Sequence, residues 1–181
     1  MEKQNSLILL DSDVISHFIT NQVLTDLPRI LAPHSCVVLD YVYNEVSRHT
    51  FRKAFLDSMI GKGIEKWAFP NNDESVKREF ALIRKLNPII GDGERACMAV
   101  AKYGNNIIAS SNFRDIVPYC KANNIHYLGT LDILIIACNK GIYDEATCDH
   151  FISEAIKINN ARFPKGVTQI KFYQAPDLSF I

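Results

Sequence analysis

Short, uninterrupted apolar runs alternate along the chain with longer segments whose apolar residues recur at helical spacing. The runs at 6–10 and 35–39 are typical of strands that are buried on both faces of a sheet. Strands that alternate with helices predict an α/β fold, because helices connect parallel strands and cover the sheet. The sequence therefore predicts a mostly parallel central sheet between helical layers.

The individual elements can be assigned from the same pattern. We predict strands at 6–10, 35–39, 64–69, 106–110 and 125–128. We predict helices at 13–20, 41–60 with a bend near 49–50, 73–86, 92–103, 112–123, 131–140 and 143–159. The segment 167–174 alternates between apolar and polar residues and is predicted as a further strand. Because ligands bind outside the carboxyl ends of parallel strands, the residues that follow each strand are the candidate site.

Length and charge restrict the class of protein. The 181 residues, of which 48% are hydrophobic, suit one domain over 1–181, with a core at about 7–160 and a C-terminal extension at about 161–181. Lys and Arg balance Asp and Glu at 20 each, so the net charge is zero. This balance excludes a strongly basic nucleic-acid coat, but a local basic groove stays open.

The spacing of the cysteines and the length of the apolar runs indicate the cellular compartment of the protein. The chain has five cysteines and no Cys-x-x-Cys pair, which argues against a disulfide framework or a zinc knuckle. The apolar run near the start is short and is followed at once by acids, unlike a signal peptide. The later run at 133–138 is too short to span a bilayer. We therefore expect a cytoplasmic protein with no membrane association.

Acidic side chains stand where the fold rule places the crevice. Asp11 follows the first strand, Glu45 lies about one turn into the helix after the second, and Glu94 opens the helix before the strand at 106–110. Each acid alone has a simpler explanation, as a helix cap, a solvated side chain or a complement to the helix dipole. Gathered together they would repel each other unless a cation binds. Mg²⁺ or Mn²⁺ fits such oxygen donors and can promote phosphodiester hydrolysis.

Five segments in this order resemble the PIN-domain family. They are LLDSDVISHF, YVYNEV, GDGERACMAVA, IIASSN and YLGTLDILIIACNKG, and the resemblance covers about residues 7–152. It implies a three-layer α/β/α sandwich that cuts single-stranded or structured RNA with Mg²⁺ or Mn²⁺, leaving a 5′-phosphate and a 3′-hydroxyl. It also implies the toxin of a toxin–antitoxin pair, with RNA as substrate and an antitoxin protein as partner.

The resemblance assigns residues to the site. Asp11, Glu45 and Glu94 match the family's first three acids and are implied to be catalytic and to hold the metal. The fourth position departs from the family's Thr-x-Asp, because Ser110 matches the threonine and Asn112 the aspartate. We predict Asn112 as a further catalytic residue and Asp115, one turn later, as a further metal ligand. The missing charge also leaves open a non-catalytic module that binds nucleic acid or protein on the same fold.

Other side chains are candidates for contact with substrate or partners. We predict substrate contacts at Ser12, Asp13, Ser110, Arg95 and Arg114, although the two arginines are also candidates for ion pairs. Arg48 and Arg52 share a helical face that either binds phosphate or is solvated. The aromatic residues near the C-terminus either pack on the core or form a homodimer or antitoxin surface. We therefore predict a metal-dependent ribonuclease, with a small-molecule hydrolase as a more distant alternative.

Overall fold

The computed structural model describes residues 6–181, and a parallel five-stranded sheet lies at the centre of this part of the chain. The sheet order is β3-β2-β1-β4-β5, and every neighbouring pair is parallel. The strands are β1 (Leu7–Leu10), β2 (Ser35–Leu39), β3 (Ile64–Trp67), β4 (Ile107–Ala109) and β5 (Tyr127–Leu128).

The strands at the centre of the sheet are buried on both faces. Ile8 pairs with Cys36 on one side and with Ile107 on the other, and none of the three is more than 3% exposed. Because no side of these strands meets water, their sequence shows continuous apolar runs instead of alternation.

Helices connect the strands and cover both faces of the sheet. They are α1 (Ser12–Thr20), α2 (Leu27–Leu31), α3 (Asp40–Val46), α4 (Thr50–Met59), α5 (Glu74–Leu86), α6 (Asp92–Gly104), α7 (Phe113–Asn123), α8 (Thr130–Asn139) and α9 (Glu145–Asn159). Helices α1, α2, α8 and α9 pack together in one layer, and α5, α6 and α7 pack together in the other. Helix α3 contacts both α1 and α6, so it joins the two layers beyond the carboxyl end of β2.

The order in which strands are added to the sheet reverses between β1 and β4. From β1 the chain proceeds outward through β2 to β3, and it then returns across the sheet to β4 and β5. The backbone N–H of Asp11 donates to the carbonyl of Ala109 at 2.9 Å, which holds the two strand ends side by side. Such a reversal opens a crevice at the carboxyl ends of the strands, where open α/β sheets bind ligands.

The structure confirms most of the predicted elements and corrects one. The predicted bend near 49–50 is confirmed, because α3 ends at Val46 and α4 begins at Thr50. The strand predicted at 167–174 is wrong, since this segment contains only a short 3₁₀ turn, Ile170–Phe172. Its buried apolar residues, Val167 and Ile170, are three positions apart, which suits a turn and not a strand. Among residues 6–181, no helix is both long and apolar enough to cross a membrane.

Candidate acidic site

Asp11 is both a helix cap and a buried acid. Its Oδ1 accepts a hydrogen bond from the Ser12 N–H at 2.7 Å, at the start of α1. The residue is only 4% exposed. Burial raises the pKa of Asp11 to about 6, with a smaller contribution from the charge of Glu45, while hydrogen bonds from Ser12 and Ser110 lower it. The simple capping explanation is therefore correct but does not account for the burial.

Asp13 ties the end of β4 to the start of α1. One carboxylate oxygen accepts from the Ser111 N–H at 2.8 Å and the other from the Val14 N–H at 2.6 Å. Burial and the neighbouring charge of Asp11 raise the pKa of Asp13 to about 8. This residue, predicted as a substrate contact, lies in the same acidic cluster as Asp11.

Glu45 reaches from α3 to the first turn of α6. Its Oε1 accepts from the Gly93 N–H at 2.8 Å, at the positive end of the α6 dipole. A Cβ at position 93 would lie 2.7 Å from the Glu45 Oε2, so a side chain there would displace the carboxylate. Sequence reasoning did not assign Gly93 to the site, although the Gly-Asp-Gly-Glu run at this helix start was the signal that could have indicated it.

Glu94 is a buried acid with one hydrogen-bond donor among the described residues. It is 7% exposed, and its Oε2 accepts from the Asn112 Nδ2 at 3.2 Å. Its Oε1 is buried and has no hydrogen-bond partner among residues 6–181. Burial, followed by the charges of Asp11, Asp115 and Asp13, raises the pKa of Glu94 to about 9.

Asn112 lies between two carboxylates. Its Nδ2 also donates to the Asp115 Oδ2 at 2.7 Å, so one neutral amide bridges Glu94 and Asp115. Its backbone N–H donates to the fully buried hydroxyl of Ser110 at 3.2 Å. The structure thus brings together the predicted residues Asp11, Asp13, Glu45, Glu94, Ser110, Asn112 and Asp115, which we call the acidic site.

The two arginines predicted to touch substrate lie in different surroundings. Arg95 is 2% exposed, pairs with Asp92, donates to the carbonyl of Ile90 and lies over the Phe80 ring. It therefore faces the interior, which corresponds to the ion-pair alternative. Arg114 is exposed and lines a groove together with Asp115.

A basic rim borders the acidic site on the side of α4. A cleft of about 360 Å³ brings Arg48, His49 and Arg52 opposite Asp13 and Glu45. Both arginines line this cleft, although Arg48 precedes α4 and Arg52 belongs to it.

His17 lies in the same cleft but is not cationic. Its Nδ1 hydrogen bonds with the Thr130 hydroxyl at 2.8 Å. Burial and the charge of Arg52 lower the pKa of His17 to about 4, so its ring is neutral at pH 7.

The donor set suits a hard cation. Within residues 6–181, no three His, Cys, Asp or Glu side chains are arranged as a preformed metal site. The buried, unpartnered Glu94 Oε1 and the mutual effect of the carboxylates on their pKa values nonetheless fit a divalent cation, which binds such oxygens.

Comparisons with known proteins support the fold. No protein-family model and no curated protein matches the chain. Among solved structures, VapBC2 from Rickettsia felis, crystallised with a DNA fragment from its promoter, is similar at a TM-score of 0.50 and 14% identity. The match covers 68% of this chain and 98% of that one. This likeness supports a PIN-like three-layer α/β/α fold, as predicted.

Proposed function

We propose that this chain is a divalent-metal-dependent endoribonuclease and that the acidic site is its catalytic centre. The observation on which this rests is the buried Glu94 Oε1, which has no partner among residues 6–181 while carboxylates surround it. Buried like charges are unfavourable unless a cation compensates them. Such a cluster does not stabilise the fold, and clusters of this kind are typical of functional sites.

Asp11, Glu45 and Glu94 would hold Mg²⁺ or Mn²⁺, with Asn112 and Asp115 assisting. When bound, such a cation activates water and offsets negative charge that develops on the phosphate. The Gly93 N–H fixes one oxygen of Glu45, and the Ser12 N–H fixes one of Asp11. The site is therefore held in place before any ligand binds.

Basic side chains on two sides of the site would position the RNA. Arg48 and Arg52 border it on the α4 side, and Arg114 borders it on the α7 side. Arginines bind phosphates through several N–H groups and set the register of a nucleic-acid strand without reading its sequence. A strand that touches both rims passes over the acids between them.

The similarity to a toxin–antitoxin complex supports a further part of the proposal. We infer that the chain acts in the cytoplasm as the toxin of such a pair and that an antitoxin protein is its partner. The predicted extent, one domain over 1–181, belongs to the same proposal.

The test compares Asp11→Asn with the wild type and with Asp57→Asn. Asparagine also caps helices, so Asp11→Asn keeps the start of α1. Asp57 pairs with Lys53 on the exposed face of α4 and serves as the control. We expect Asp11→Asn to lose Mn²⁺ binding in calorimetry and to cleave single-stranded RNA at least roughly 100-fold more slowly. Cleavage by Asp11→Asn at the wild-type rate would overturn the proposal.

The same experiment separates a second candidate, a non-catalytic RNA-binding module. It is favoured by Asn112, which places a neutral amide where the resemblance implies a carboxylate. RNA binding by the wild type without cleavage in Mg²⁺ or Mn²⁺ would support this candidate.

A further inference from the structure

A groove runs from the acidic site between the start of α7 and the segment that follows α9. It encloses about 430 Å³, and we call it the Phe113–Phe163 groove. Its lining includes Phe113, Arg114, Asp115, Arg162, Phe163 and Pro164. Because Asp115 belongs to both, the groove and the acidic site are continuous.

Aromatic rings form the opposite walls of this groove. The Phe113 ring makes an edge contact with Tyr127 at 5.7 Å between centroids. It lies so close to Gly129 that a Cβ there would be 2.5 Å from its Cζ. On the other wall, the rings of Phe163 and His17 make an edge contact, with their centroids 6.1 Å apart. Both phenylalanines are only half-buried, so each leaves part of its ring open to a ligand.

Polar groups beside these walls already have partners. The hydroxyls of Ser111 and Thr130 hydrogen bond to each other at 2.7 Å, and the Thr130 hydroxyl also bonds with His17. The Thr130 N–H donates to the Ser111 hydroxyl at 3.1 Å. Few groups are therefore left to read the edge of a base, and the groove would bind mainly through its aromatic faces.

The segment that forms one wall is fixed to the body of the protein. The Tyr173 hydroxyl donates to the buried Asp132 carboxylate at 2.6 Å, and the Ile170 N–H donates to Asp149 at 2.7 Å. These bonds hold the chain that follows Phe163 against α8 and α9. The groove is therefore formed before a ligand arrives.

Two positive charges flank the aromatic walls. Arg114 and Arg162 are exposed, and within residues 6–181 neither is in an ion pair. An apolar groove with cationic edges suits a nucleotide, because a base can stack on an aromatic ring while the phosphates contact the arginines.

We propose that the Phe113–Phe163 groove binds an unpaired base of the RNA strand, next to the phosphodiester at the acidic site. This inference rests on the proposed ribonuclease function and adds a subsite for one base to its RNA site. Since stacking is open to every base, the site selects for an unpaired strand more than for a sequence.

The test measures binding of a fluorescent hexauridylate and of a hexamer with the same backbone but abasic riboses. Ca²⁺ replaces Mn²⁺ to provide a hard cation during titrations by fluorescence anisotropy. We expect the wild type to prefer the base-containing hexamer by about 10- to 100-fold. Phe163→Ala and Phe113→Ala should lose this preference and keep their affinity for the abasic hexamer. Phe163→Tyr, which retains a stacking ring, should keep the preference, as should Phe172→Ala at an exposed ring outside the groove.

Three outcomes would overturn the inference. Equal wild-type affinity for both hexamers would exclude a base subsite while leaving the RNA site of the proposed function intact. Loss of affinity for both hexamers in Phe163→Ala, with no rescue by Phe163→Tyr, would show a structural role for the ring. Failure of the wild type to bind either hexamer would overturn this inference together with the proposed function.

Discussion

Two buried glutamates, Glu79 on α5 and Glu94 on α6, are nearly equally shielded from water. They are 5% and 7% exposed. Glu79 accepts from the Lys102 ammonium at 2.8 Å and from the Tyr119 hydroxyl at 2.9 Å. Glu94 accepts only from the Asn112 amide, and its other oxygen has no partner among residues 6–181.

The sign of the surrounding charge separates these two carboxylates. Glu79 contacts a cation and hydroxyl donors. Burial, followed by the hydrogen bond to Glu79, raises the pKa of Tyr119 well above its ordinary value, so this hydroxyl stays protonated as a donor. Glu94 meets other carboxylates, and its pKa is raised to about 9. Burial alone therefore does not distinguish a structural acid from a functional one. The neighbours do, since the proposed site takes its cation from solution at the acid that has no cation beside it in the protein.

The largest expected effect is a difference in metal binding between Glu94→Gln and Glu79→Gln. We expect Glu94→Gln to weaken Mn²⁺ binding by at least roughly 100-fold in calorimetry, because it removes a ligand charge. Glu79→Gln should leave Mn²⁺ affinity unchanged. It should lower the free energy of unfolding by about 1–3 kcal/mol, because Lys102 loses its partner. Equal Mn²⁺ affinities in the two variants would remove the distinction between the glutamates.

The pH dependence of stability sharpens the same comparison. A raised pKa means that the folded state holds the proton more tightly than the unfolded state does. For Glu94 this stabilising contribution is complete below about pH 4.5 and is lost as the pH rises through about 9. In EDTA, the melting temperature of the wild type should therefore fall relative to that of Glu94→Gln across this range. We expect a difference of several degrees, since 1 kcal/mol corresponds to roughly 2–4 °C for a chain of this size.

Calorimetric scans of both proteins in EDTA check this, and Mn²⁺ should restore the wild type most at the alkaline end, because it binds the ionised folded state. Parallel curves for wild type and Glu94→Gln across the range would contradict the raised pKa of Glu94.

A smaller effect is expected from Gly93→Ala. The new Cβ would lie 2.7 Å from the Glu45 Oε2 and would move this carboxylate, which should weaken Mn²⁺ binding by about 10-fold. Gly91→Ala is the matched control, because its Cβ would lie 3.5 Å from Glu45 and its φ of −61° suits alanine. Both variants can be followed by calorimetry. Similar losses in both would show that glycine at 93 is not required for the placement of Glu45.

Much of the fold could be predicted because the apolar runs of β1 and β2 reflect burial on both faces of the sheet. The rule that sites form beyond the carboxyl ends of strands was sufficient to group Asp11, Glu45 and Glu94. This rule could not predict contacts between side chains of different helices. The role of Gly93 is steric and depends on where Glu45 of another helix arrives. The inward orientation of the Arg95 side chain depends on Asp92, Ile90 and the Phe80 ring, and no local sequence pattern specifies it.

The C-terminal segment is a second region that local sequence patterns did not predict. Alternation at 167–174 suggested a strand, but within the described residues this segment pairs with no strand of the sheet. It is held instead by the hydrogen bond from the Tyr173 hydroxyl to Asp132. The place of Phe163 beside the acidic site follows from its contact with His17, near the opposite end of the chain. Sequence reasoning could therefore identify aromatic residues near the C-terminus but not where they pack.

Helix α3 joins both helical layers, and this has a consequence for how the protein is made. Asp11 and Asn112 are separated by more than half of the chain, and Glu45 finds its anchor only after α6 has packed. A growing chain on the ribosome carries its first acids long before the segments that complete the site. The proposed nuclease site would thus be incomplete until the segment that carries Asn112 and Asp115 has been made.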